Sequence, residues 1–131
     1  MPSLSDIRLF DGMFSGMEQV LDLRRVQHTL IASNIANADT PHYQARELPF
    51  QDLLQDVMDR SVRGEHVDAE SDAATALKEL EPVPWATDEN SVNPEHEVTK
   101  MTANSVMYDA VSQGMSRRLA LLKFAASDGK T

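Results

Sequence analysis

The 131-residue sequence contains no cysteine, which excludes disulfides, thiolate nucleophiles and Cys-ligated zinc. Aromatic residues make up only 5% of the chain, so aliphatic and Met side chains must fill whatever core forms. Basic residues are also few: 12 Lys and Arg stand against 21 Asp and Glu, for a formal net charge of −9. That balance argues against nucleic acid, whose phosphates need a basic footprint, and against an anionic membrane surface. No run approaches the roughly 18 consecutive apolar residues of a membrane span. The start, Met1 to Phe10, lacks the basic and apolar regions of a cleavable secretory signal. No nucleophile elbow, phosphate loop or dinucleotide fingerprint occurs. His28, His42, His66 and His96 are scattered. His66 and Glu70 would share a face if their stretch were helical, but two ligands are too few for a closed zinc site. The sequence therefore reads as a non-enzyme with no metal and no cofactor.

What is present is helical periodicity at both ends. Up to about Asn37, apolar residues recur at Phe10, Met13, Met17, Val20, Leu23, Val26 and Leu30, in steps of three and four. Phe14, Leu21, Ile31 and Ile35 widen this stripe, whereas Gly12 and Gly16 weaken its beginning. Such a stripe suits an ordinary core-facing helix and a subunit-packing helix equally. Near Asn37 the helix should stop, because Asn tolerates the left-handed conformation and Thr40 precedes Pro41. Phe50, Leu53, Leu54, Val57 and Met58 then mark one face of a short amphipathic helix after Pro49.

From Ser61 to Thr87 the periodicity is lost in an acidic stretch, predicted to be mobile or solvent-facing, in which Ala73–Leu80 could supply two weak helical turns. Pro82 to Trp85 reads as an extended piece with Trp85 as an anchor. The last helix opens at Asn93, a good N-cap, with Pro94 as its first residue and Glu95 and Glu97 at the positive end of its dipole. Running to about Ser127, it would be about 50 Å long. Met101, Tyr108, Met115 and Leu122 repeat every seven residues, with Val111 and Ala125 adjoining, Leu119 thickening the stripe, and Asn104 and Arg118 interrupting it.

The expected fold is mainly α: two long amphipathic terminal helices pair in a coiled-coil-like core, with a short helix and an irregular acidic insert between them. It forms one structural unit in three parts: 1–43 is the first core helix and its turn, 44–93 the short helix and insert, and 94–131 the last core helix. Two paired helices cannot bury a wide apolar surface, so neighbouring copies are expected to complete the core. Met17, Val20, Leu23, Leu30, Ile31, Met101, Tyr108, Val111, Met115, Leu119 and Leu122 are the candidate assembly residues.

The helix end Ile31-Ala-Ser-Asn-Ile-Ala-Asn-Ala-Asp-Thr-Pro-His-Tyr43 resembles the N-terminal signature of bacterial flagellar rod and hook proteins. The matching positions are Asn34, Ile35, Ala36, Asn37, Asp39, Thr40, Pro41 and Tyr43. Tyr43–Phe50, Asp88–Val98 and Ser116–Ala126 are similar to the proximal-rod version of that family, as is the short length. The resemblance spans nearly the whole chain except the acidic insert.

It implies a self-assembling subunit of the axial drive-shaft tube, exported by the flagellar type III apparatus without a cleavable signal peptide and located in the periplasmic rod of the basal body. It also implies copies of itself, the rod protein FlgC, the adaptor FliE, the MS ring and the export gate as neighbours. The family usually has Gly where this chain has His42 and often where it has Glu89, and commonly an apolar residue in place of Pro94. If the first position needs positive φ, His42 takes it with some strain. Asn34 and Asn37 are read as hydrogen-bonding the backbone of the turn or of a neighbour, or as caps. The alternatives are another rod protein of the same family, or a soluble coiled-coil adaptor or secretion chaperone, a class that acidic, Cys-free, helical composition also fits.

Overall fold

In the computed structural model of the chain, residues 4–80 and 92–127 are described. They form four helices: α1 (Leu4–Ala36), α2 (Phe50–Val62), α3 (Ala69–Glu79) and α4 (Pro94–Ala126). The two terminal helices are 33 residues each, about 50 Å long, and lie against one another. The helix ends follow from local chemistry. Asn93 accepts from the His96 amide, and Pro94 starts α4 without wasting a donor. Asp68 caps α3 through the Ser71 amide. The α1 end closes through Asn37, whose amide nitrogen donates to the Ser33 carbonyl at 2.8 Å and whose oxygen accepts from the Thr40 hydroxyl.

α1 is the spine. α2, α3 and α4 all pack on it, and α4 touches no helix but α1. The hydrophobic core lies between α1, α2, α3 and the segment leading into α2. It gathers Leu23, Leu30, Leu48, Val57, Val67, Ala69 and Ala73, with Phe50, Leu53, Leu54 and Leu77 at its edge. No residue of α4 belongs to it.

Two features differ from the sequence reading. The acidic insert is more ordered than its composition indicates, because Ala69, Ala73 and Leu77 form a helical row of mostly small residues that packs on the core. Gln19 of α1 receives the Ala69 amide at 2.9 Å, and Arg60 of α2 pairs with Asp72, so α3 is tied down at its start. Gly12 and Gly16 do more than weaken a helix. A Cβ at Gly12 would lie 2.8 Å from the Ser61 carbonyl oxygen, so glycine is what lets α2 approach. Trp85, the Pro82–Trp85 extended piece and Glu89 lie outside the described residues.

Candidate functional site: a polar joint and an uncovered helix

The motif residues at the end of α1 converge on one buried amide. Asn34 is 1% exposed and satisfies all four of its hydrogen-bonding positions. Its Nδ2 donates to the Arg46 carbonyl at 2.8 Å and to Glu97 Oε2 at 3.1 Å. Its Oδ1 accepts from the Arg46 amide and the Tyr43 hydroxyl, each at 3.0 Å. Asn34 thus reads both peptide groups of Arg46 as a neighbouring strand would, and fastens the chain after the turn to α1. Asn37 acts as the cap, whereas Asn34 is the joint.

The turn from Asn37 to Tyr43 is closed by backbone bonds from Thr40 to Asn37 and from Tyr43 to Thr40. His42 sits at φ 61, the left-handed geometry for which glycine is suited. Ile35 is half-buried, and Ala36, Asp39, Thr40 and Pro41 face solvent.

The joint reaches α4 through Glu97, a carboxylate with almost no exposure. Glu97 also accepts from Lys100 Nζ at 3.1 Å, and the same ammonium meets Glu47 at 3.2 Å. Burial works against the Lys100 charge, yet its hydrogen bonds to Glu97 and Glu47 outweigh that and raise its pKa above the ordinary lysine value.

Two further polar fasteners lie along α4. Asn104 donates to the Arg24 carbonyl at 2.8 Å and accepts from the Arg24 guanidinium at 3.1 Å. That guanidinium stacks on Phe50, 4.5 Å from the ring centre, and burial lowers its pKa. Arg118 sits 4.9 Å from the centre of Phe10. Asn104 and Arg118 therefore do not merely interrupt the seam: they are its fasteners. Glu97, Lys100 and Arg24 were not signalled by hydrophobic periodicity. The one trace is that Glu97 shares, at seven-residue spacing, the row of Asn104, Val111 and Arg118.

The candidate assembly residues separate into three groups. Val20, Leu23, Leu30 and Ile31 are covered inside the subunit, and Met17, Met101, Val111 and Met115 are half-buried. Tyr108, Leu119 and Leu122 are exposed. More apolar surface lies beyond that set. Val106, Leu121 and Phe124 are 60%, 68% and 52% exposed: Val106 and Phe124, with Ala110, fall on the side of α4 away from α1, and Leu121 flanks the groove beside Phe10. A helix apolar on several sides suits the interior of a larger assembly.

Among the described residues no cluster of three or more acidic or histidine side chains could hold a metal, and no helix is long and apolar enough to cross a membrane.

Over 127 residues the chain is 28% identical to the flagellar basal body rod protein FlgB of Bacillus subtilis, an alignment covering 93% of this chain and 98% of that one. It is 32% identical over 111 residues to FlgB of Salmonella typhimurium, with 75% and 80% covered. With FlgB of Escherichia coli it is 29% identical over 122 residues, with 83% and 88% covered. No family model matches the chain, and no solved structure matches it.

Proposed function

Because this chain belongs to the FlgB family of flagellar basal body rod proteins, we propose that it is a structural subunit of the proximal rod that assembles through its terminal helices. On this reading it leaves the cytoplasm through the flagellar type III apparatus and joins the axial tube in the periplasm. Its neighbours there are further copies, FlgC, the adaptor FliE, the MS ring and the export gate.

The observation that carries the proposal is the uncovered apolar surface of α4. Burying a Val, Leu or Phe side chain contributes roughly 1.5–3 kcal/mol. Only 52–68% of each of Val106, Leu121 and Phe124 is still exposed, so together they offer roughly 3–5 kcal/mol to a contact with neighbours. Against this stand the loss of subunit freedom and the ordering of side chains on association. The buried residues of α4 are the polar Glu97 and Asn104, and much of its apolar surface stays free for a second layer of packing. The joint at Asn34 sets the angle between that layer and the α2–α3 part.

The test replaces Leu121 and Phe124 with Asp and expresses the variant in a strain lacking its own rod protein. Both sites are exposed, so circular dichroism of the purified chain should be unchanged. Motility and recovery of the protein in basal bodies should be lost. Normal swimming with normal incorporation would remove the packing role. Cell fractionation addresses the adaptor reading: a chain that restores motility yet stays in the cytosol would favour that reading instead.

A further inference from the structure

The charge of the subunit is strongly polarised. From Val111 to Ala126, α4 carries Arg117, Arg118 and Lys123 and no carboxylate, in a chain of net charge −9. The same stretch holds the exposed Leu119, Leu121, Leu122 and Phe124. A groove of about 580 Å³ runs here between Phe10, Gly114, Arg117, Leu121 and Ala125, and its described lining has no carboxylate.

The opposite composition occurs on α2 and α3. Between Phe50 and Leu80 eight carboxylates face three bases, a net of −5. Asp52 and Asp59 lie on the exposed face of α2, about 10 Å apart, and neither forms an ion pair among the described residues.

These two surfaces do not meet within one subunit, because α4 packs on α1 alone. We infer that the basic, apolar C-terminal end of α4 docks on the acidic outer face of α2 in a second copy of this chain. Subunits of net charge −9 repel one another unless contacts pair opposite charges, and this is the pairing that the charge distribution supplies. The two surfaces differ, so each subunit offers one and accepts the other: copies joined head to tail in this way form an open series, whereas copies joined reciprocally would stop at a two-fold dimer and give no ladder. This contact rests on the rod reading only in requiring copies of the chain to lie side by side.

The absence of cysteine makes the test direct. Ala125→Cys labels the groove, and Gln55→Cys labels the acidic face without removing a charge. The double variant, oxidised at low ionic strength, should give a covalent ladder longer than a dimer. Single variants mixed together should give one disulfide-linked heterodimer, and each alone should give none. Arg117→Glu with Lys123→Glu on the Ala125→Cys chain should lower heterodimer yield about tenfold. Asp52→Lys with Asp59→Lys on the Gln55→Cys chain should restore it.

No ladder above a urea-denatured control would overturn the inference, as would homodimers from either single variant. Co-sedimentation of the wild-type chain with phosphatidylglycerol vesicles, without a ladder, would assign the basic end to a lipid surface instead. A chain that restores motility but gives no ladder keeps the rod reading and loses this contact. A wild-type chain that fails to restore motility removes the rod reading itself.

Discussion

Replacing Asn34 with Ala removes four hydrogen bonds at once from the joint between α1, the segment after the turn and α4. The partners left behind do not all suffer equally. The Tyr43 hydroxyl is on a half-buried residue and Arg46 is exposed, so water reaches some of these groups. Glu97 is buried and keeps only Lys100. If two polar groups stay dry and unpaired, each costing about 1–3 kcal/mol, the loss is roughly 2–6 kcal/mol. At a urea m-value of about 1.5 kcal/mol/M, the unfolding midpoint should fall by roughly 1–4 M.

Asn34→Asp is the sharper probe. It keeps the acceptor for Tyr43 and the Arg46 amide but loses the donor, and sets a carboxylate against Glu97. The two negative charges raise the pKa of the pair, so the destabilisation should be greatest at neutral pH and shrink below about pH 5, where one carboxyl becomes a donor. Hydrogen exchange should report the first turns of α4 loosening in both variants. An Asn34→Ala midpoint within about 0.3 M of wild type, or a pH-independent Asn34→Asp, would refute the joint as the fastener of α4.

Gly12→Ala should destabilise the chain by about 1–3 kcal/mol despite a gain near 1 kcal/mol in helix propensity, because the new methyl meets the fixed Ser61 carbonyl. At Gly16 the methyl meets the flexible Met58 side chain and Ser61 Cβ at 3.3 Å, so Gly16→Ala should fall within about 1 kcal/mol of wild type by urea titration. His42→Gly should raise stability by up to about 1 kcal/mol by relieving left-handed strain, and His42→Val should lower it. The raised pKa of Lys100 means that its ion pairs contribute fully below the ordinary value of 10.5 and are lost as pH rises through the higher folded value. Unfolding titrations from pH 8 to 11.5 should therefore show an alkaline decline that Lys100→Met diminishes.

Much of the architecture was legible without coordinates. The steps of three and four from Phe10 to Leu30, and the cap pair Asn93 and Pro94, locate both terminal helices because caps and amphipathic periods are local properties. α3 was legible only in part. Its packing row consists mostly of alanines, which add little hydrophobic contrast, and its carboxylates resemble those of a solvated loop. The heptad of Met101, Tyr108 and Met115 marked the side of α4 that meets α1, but did not tell that Asn104 and Arg118 on that side are bonded rather than tolerated.

The sequence alone determined where the long helices run, where the turn after α1 falls, and which signature the turn carries, because these depend on residues within a few positions of one another. Only the tertiary structure decided that α2 and α3, and not α4, complete the core of α1. It also decided that Asn34 meets Arg46 and Glu97, 12 and 63 residues away. Helical periodicity says that a face is apolar but not which partner covers it, and a buried amide finds its partners through space rather than along the chain.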